Sequence, residues 1–197
     1  MMRSKIIGIT GGSGTGKSYI SGILRKDGIP VFDADKIGHE IFRENLNCKN
    51  EIIEYFGKDV MTNLEIDRKK LGKIVFSDRE KLAKLNEISH KYILESIYNK
   101  IDLSKAEICA ADGALLIESG MKCDVMIGVL AAYDIRLKRI MLRDGIDEKA
   151  ARRRLDAQKD DDFYRENCDF VICNNSGEPD IQKIEDIIKG LKNEKNN

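Results

Sequence analysis

The 197-residue chain has two histidines, five cysteines and no C-x-x-C pair. His39 and His90 are too few and too far apart for a metal cluster. The cysteines (Cys48, Cys109, Cys123, Cys168 and Cys173) show neither a zinc-ligand spacing nor a dithiol redox spacing. Their odd number fits reduced, structural thiols, and Cys109 and Cys173 stand in apolar runs as small hydrophobes. Net charge is lacking as well: 34 basic residues balance 34 acidic ones, which gives no reason to expect a nucleic-acid or membrane partner. No apolar stretch approaches the length that spans a bilayer. Met1-Met2-Arg3-Ser4 leads into a core strand rather than a signal peptide, so the expected location is cytoplasmic. Repeats and low-complexity linkers are absent too, and the length suits one α/β domain with insertions.

The most informative stretch is Gly11-Gly12-Ser13-Gly14-Thr15-Gly16-Lys17-Ser18. It fits G-x-x-x-x-G-K-[ST], a loop whose backbone amides face nucleotide phosphates. Glycines let the chain curl into a nest of N–H groups. Lys17 brings a cation to the β- and γ-phosphates, and the Ser18 hydroxyl is a Mg²⁺ ligand. Ile6, Ile7 and Ile9 form an apolar strand before the loop, ending at Thr10. Ile20, Ile23 and Leu24 recur at helical spacing after it, with Gly28 as the stop.

Strand signals recur at 5–10, 30–32, 108–111, 125–130 and 170–173, with helical patterns between them. This alternation predicts an α/β fold in which a parallel β-sheet is flanked by helices. With the opening loop, the leading architecture is a P-loop nucleotide-kinase-like sheet. The expected core is 1–35 with 106–135 and 166–197. The segment 36–105 reads as a helical insertion, too long for an ordinary connection and suited to cap an acceptor. A second insertion, 136–165, is rich in arginine. Arg136, Lys138, Arg139, Arg143, Arg152, Arg153 and Arg154 form in part a solvated face, while one or two are expected to neutralise transferring phosphate. Spacing does not say which.

Asp33 and Asp35 end the second strand, and continued extension would point both side chains the same way. One suits a helix N-cap and the other chemistry, as a proton acceptor or an outer ligand of Mg²⁺. Asp112 ends an apolar strand as a Walker B acid does. Glu118 lines the crevice or caps a helix. The run Asp160-Asp161-Asp162 reads as a solvated loop, because three consecutive acids do not converge on an ion.

These residues resemble the dephospho-CoA kinase family through most of the chain. The resemblance runs through the phosphate loop, Asp33-Ala34-Asp35, Asp67-Arg68-Lys69-Lys70-Leu71 with Ile74-Val75-Phe76, and Ile88-Ser89-His90. It continues through Leu115-Leu116-Ile117-Glu118, Arg139 with Arg143-Asp144-Gly145, Arg154 to Gln158, and Asp169 to Asn174. It implies a P-loop core, a helical CoA-binding domain and a lid. It also implies transfer of the ATP γ-phosphoryl group to the ribose 3′-hydroxyl of dephospho-CoA, with ATP and Mg²⁺ as cofactors. Asp35 would be the general base, with Asp33 assisting it. Lys17 and Arg139, the lid cation, would serve the phosphates. Thr10 would meet phosphate or acceptor; Arg68 and His90 would belong to the acceptor side. Lys91, Ala114, Arg136, Lys159-Asp160 and Tyr164 depart from the family's usual residues, marking a divergent member. The expected partner is a small molecule, with no nucleic acid and no membrane, and the chain a monomer or weak homo-oligomer.

Two other kinds of protein compete with this reading. One is a P-loop kinase of another small acceptor, or a paralogue that binds without turnover. The other is a GTP switch, since Asn99-Lys100-Ile101-Asp102 matches N-K-x-D. That tetrapeptide ends a helical pattern rather than a strand, which counts against it.

Overall fold

The computed structural model describes residues 3–175 and 180–193. The start at Met1-Met2 and the last four residues of the tail, expected to fray, lie outside that range. Along the chain, β1 (Lys5–Thr10) leads to α1 (Lys17–Lys26), β2 (Val31–Asp33), α2 (Ala34–Glu44) and α3 (Leu46–Phe56). Then come β3 (Met61–Thr62), β4 (Glu65–Ile66), α4 (Arg68–Val75), α5 (Arg79–Ser104), β5 (Ile108–Asp112) and β6 (Val125–Leu130). The chain continues with α6 (Tyr133–Asp144), α7 (Glu148–Asp156), α8 (Asp161–Asn167), β7 (Phe170–Cys173) and α9 (Ile181–Asn193). It divides into two compact units: Met1–Phe32 with Ser104–Asn197, and Asp33–Leu103.

The first unit is built on a five-stranded sheet in the order β2-β5-β1-β6-β7. The registered pairs β1–β5, β1–β6 and β6–β7 are parallel. β1 is central, with Ile7 opposite both Ala110 and Val125. A strand buried on both faces cannot alternate polar with apolar, which is why β1 and β6 read as near-continuous β-branched and apolar runs. Ile20 and Leu24 of α1 and Ile184, Ile187, Ile188 and Leu191 of α9 join Ile7, Ile9, Ile127 and Ile172 in the main core. Each fully buried isoleucine contributes about 1.5–3 kcal/mol of apolar burial. α6 and α7 pack through a smaller core of Leu137, Ile140, Ala151 and Leu155. The arginine-rich segment is thus a pair of helices with its own apolar seam, followed by α8.

The second unit is helical apart from one hairpin. Its helix starts are chemically explicit: Asn45 Oδ1 accepts from Cys48 N at 2.9 Å, and Asp67 Oδ1 accepts from Lys69 N and Lys70 N at 2.9 and 3.1 Å. α5 is tied to α3 by Glu51, whose carboxylate accepts from Lys91 Nζ and the Tyr92 hydroxyl, each at 2.6 Å. The hairpin β3–β4 was not expected from the sequence. Its two-residue strands are too short for a periodic pattern, and its turn puts Asn63 and Leu64 at φ 51 and 65. Positive φ at both turn positions belongs to the tight turns that join antiparallel strands, but leucine gives no such signal.

Two sequence expectations about acids are corrected. The extended geometry at Asp33–Asp35 does not persist, because α2 begins at Ala34. Asp33 Oδ1 instead accepts from Lys36 N at 3.0 Å as the cap, and Asp35 lies in the helix's first turn. Asp160-Asp161-Asp162 is not a loop: Asp160 caps α8 by accepting from Phe163 N at 2.9 Å, and the next two acids stabilise the helix's positive end.

Candidate functional site

β1 ends at Thr10 and α1 begins at Lys17, so Gly11–Gly16 form the turn between a buried strand and a helix N-terminus. Gly16, the residue that caps α1, has φ 97. That left-handed backbone is open to glycine and strained for side-chain-bearing residues. The loop's own contacts hold its curl. Thr15 Oγ1 donates to Gly12 O at 2.9 Å, and Lys17 Nζ donates to Gly11 O at 2.7 Å. The Lys17 ammonium is therefore folded back over the loop's first residues.

Four side chains distant in sequence, those of Arg136, Arg139, Gln158 and Asn174, reach the same loop within the first unit. Arg136 and Arg139 lie on α6, and Asn174 follows β7. Arg136 Nε donates to Ser13 O at 3.0 Å, and Arg139 Nη1 donates to Gly14 O at 3.2 Å. Asn174 Nδ2 donates to Thr15 O at 3.0 Å. The sequence left open which arginines approach the phosphates. Here Arg136 and Arg139 touch the loop, while Arg143 and Arg154 bond Asp144, and Arg152 bonds Glu148. Asp144 is held below the usual carboxylate range, first by its hydrogen bond from Arg143.

Thr10 Oγ1 and Asn174 Oδ1 are buried and find no hydrogen-bond partner among the described residues. Buried polar atoms left in that state mark places where a ligand's groups or water complete the bonding. Ser18 is exposed in the first turn of α1. Asp112, half-buried at the end of β5, accepts from Ser21 Oγ of α1 at 2.6 Å. Hydroxyl and carboxylate are hard oxygen donors of the kind Mg²⁺ takes, usually one or two from protein with phosphates and water completing the shell. No group of three or more His, Cys, Asp or Glu able to hold a metal occurs among the described residues.

The remaining expected residues lie in other elements. Glu118, exposed in the turns after β5, is 3.3 Å from Lys159 Nζ rather than capping a helix. In the second unit, Arg68 opens α4 with Nη1 2.7 Å from His39 Nδ1, and His90 is half-buried on α5. The tetrapeptide Asn99–Asp102 lies inside α5, the wrong setting for a guanine-reading strand end.

Comparison with known proteins decides the family. The dephospho-CoA kinase family model matches residues 5–180. The chain belongs to the dephospho-CoA kinase family. A dephospho-CoA kinase of Fusobacterium nucleatum is 39% identical over 186 residues, covering 92% of this chain and 95% of the relative. A crystal structure of a Thermus thermophilus protein superposes with a TM-score of 0.78 at 28% identity, covering 98% of each chain. A dephospho-CoA kinase structure from Campylobacter jejuni gives 0.54 at 28% identity, covering 88% of this chain and 89% of that one. The fold is that of the P-loop kinases, and membership implies use of ATP on a small-molecule substrate.

Within this dephospho-CoA kinase family member, sequence reading missed the role of Asn174 and Gln158 at the loop, although both fell in segments that carried the resemblance. Cys48 and Cys109 are buried packing groups and Cys123 and Cys168 are half-buried, whereas Cys173, expected to pack as a small hydrophobe, is exposed because it stands at the end of the edge strand β7. Burial pushes the Cys48 and Cys168 thiols up to about 11 and Cys123 to about 12, so all three stay protonated at neutral pH. No helix among the described residues is long and apolar enough to cross a membrane.

Proposed function

We propose that this chain transfers the terminal phosphoryl group of ATP to the ribose 3′-hydroxyl of dephospho-CoA, giving CoA and ADP as the last step of CoA biosynthesis. The observation that carries this reading is the amide nest at the head of α1, ringed by Lys17, Arg136 and Arg139, in a chain that matches the family over 5–180. Phosphoryl transfer asks a protein mainly for positioning and charge neutralisation, because the transferring group reacts through a loose transition state.

In this reading the amides of Gly12, Ser13, Gly14, Thr15 and Gly16 cradle the nucleotide phosphates, with Lys17 and Ser18. Lys17 and Arg139 exchange loop carbonyls for phosphate oxygens. Both now spend their donors on Gly11 O, Gly14 O and Thr15 O, which are neutral acceptors and weaker partners than phosphate. Ser18 and Asp112 hold Mg²⁺, which supplies neutralisation of charge on the phosphate oxygens. Asp35 accepts the proton of the attacking hydroxyl. Asp33, already engaged as the cap of α2, positions Asp35 by fixing the helix turn that carries it. Thr10, Arg68, His90 and Glu118 serve the acceptor, as does Asp112. On this reading the enzyme acts on a small molecule in the cytoplasm, without nucleic acid or membrane, as a monomer or weak homo-oligomer, and 136–165 acts as its lid.

The test is ADP release from ATP with dephospho-CoA set against a panel of nucleosides and gluconate. Release is expected with dephospho-CoA alone. Turnover confined to the panel would retire the assignment.

A further inference from the structure

Ser13 is gripped on every polar atom by two residues that lie more than a hundred positions further along the chain. Its N–H donates to Gln158 Oε1 at 2.8 Å, its hydroxyl accepts from Gln158 Nε2 at 2.8 Å, and its carbonyl accepts from Arg136 Nε at 3.0 Å. Arg136 Nη2 also donates to Gln158 Oε1, at 2.9 Å. The carboxamide's orientation follows from this network. Guanidinium and backbone N–H only donate, so the atom between them must be the oxygen, and the NH₂ end is left for Ser13 Oγ. The contact is close: a Cβ placed on Gly12 would meet Gln158 Oε1 at 2.6 Å. Arg136 itself is 6% exposed, so this guanidinium is a buried fixture rather than a solvated cation.

Resting on the reading of the loop as an ATP site, we propose that Gln158 is a ligand of the terminal phosphate and that Arg136 positions it. Gln158 Oε1 occupies one of the nest's own amides, the place a phosphate oxygen takes when nucleotide binds. The Lys17 ammonium, the group that reaches the β- and γ-phosphates, donates to Gly11 O and Gly12 O, immediately before Ser13. Gln158 therefore sits at the terminal-phosphate end of the nest. When nucleotide claims the Ser13 N–H, the carboxamide oxygen keeps Arg136 as its donor. The NH₂ end stays beside the loop and donates to a phosphate oxygen. A carboxamide can make that exchange because it carries both acceptor and donor; a carboxylate cannot.

The experiment measures direct binding of ADP and of a non-hydrolysable ATP analogue by calorimetry, for wild type, Gln158→Ala, Gln158→Glu and Arg136→Gln. Melting temperatures without ligand confirm that each variant is folded. Loss of a charge-assisted hydrogen bond should weaken the ATP analogue about tenfold in Gln158→Ala, with ADP within about twofold of wild type. Gln158→Glu should be weaker still, since its carboxylate repels phosphate. Arg136→Gln should fall between wild type and Gln158→Ala. The side-chain amide signal of Gln158 in a ¹⁵N spectrum should shift with the ATP analogue and much less with ADP, a readout independent of turnover. ATP-analogue binding as tight as wild type or tighter in Gln158→Ala would overturn the proposal and make Gln158 a plug that nucleotide displaces. Wild-type binding in Arg136→Gln would remove its positioning role. Failure of wild type to bind either nucleotide would instead sink the ATP reading of the loop.

Discussion

In the proposed roles, Lys17 and Asp35 carry different parts of the reaction, and their loss should look different. Lys17→Ala removes a cation that serves phosphate both before and during transfer, so the nucleotide KM should rise as kcat falls by about a hundredfold or more. Asp35→Asn removes only the proton acceptor while keeping size and polarity. Its kcat should drop by about 10²–10⁴-fold with little change in the KM for ATP. Steady-state kinetics against both substrates separates the two, and turnover of Asp35→Asn within a few-fold of wild type would end the general-base assignment. At this scale the sequence was informative wherever chemistry is local. Asp33 and Asp35 were legible as one cap and one acid, but their shared direction was not, because a strand-to-helix switch at Ala34 rotates one away from the other's geometry.

Among the elements, the pairing of α3 with α5 through Glu51 makes a pH prediction. The hydrogen bonds from Lys91 and Tyr92 hold the Glu51 carboxyl below its ordinary value of 4.5. A carboxylate with a lowered folded-state pKa stabilises fully above the unfolded value, and that contribution is lost as pH falls through the folded one. The gap in melting temperature between wild type and Glu51→Gln should therefore be widest near neutrality and close below pH 4.5. A gap that widens in acid would contradict the sign. A second element-level prediction concerns the close approach of β1 and β6. At Gly8 an added Cβ would stand 2.6 Å from Met126 Sδ and 2.8 Å from Cys123 Sγ. Gly8→Val should cost about 1–3 kcal/mol by overpacking, measurable by urea unfolding; an unchanged midpoint would show that Met126 moves aside freely. α2, α3 and α4 each begin on an Asp or Asn cap, of which the sequence reading singled out only the one at Asp33–Asp35, whereas β3 and β4 carry no mark, since two residues per strand carry no period.

For the whole molecule, nucleotide binding and folding are linked. An ATP analogue at a hundred times its Kd should stabilise the unit that holds the loop by about 2.7 kcal/mol. Thermal melting would show this as an upward shift that grows with the logarithm of ligand concentration and is largely lost in Lys17→Ala. A shift equal in Lys17→Ala and wild type would mean that nucleotide binds elsewhere.

The sequence by itself determined the parallel sheet, the glycine-rich turn between β1 and α1, and the acids at strand ends. Each of these is written in a handful of consecutive residues, where glycine, alternation and capping chemistry act over one or two turns of chain. Only the tertiary structure decided which distant groups surround Ser13. Arg136, Gln158 and Asn174 arrive from 123, 145 and 159 positions away from the loop residues they bond. No periodicity encodes such a meeting: it follows from β6 lying beside β1 and β7 beside β6 in the sheet, and from α6 packing on α7, which together carry those side chains back to the start of α1.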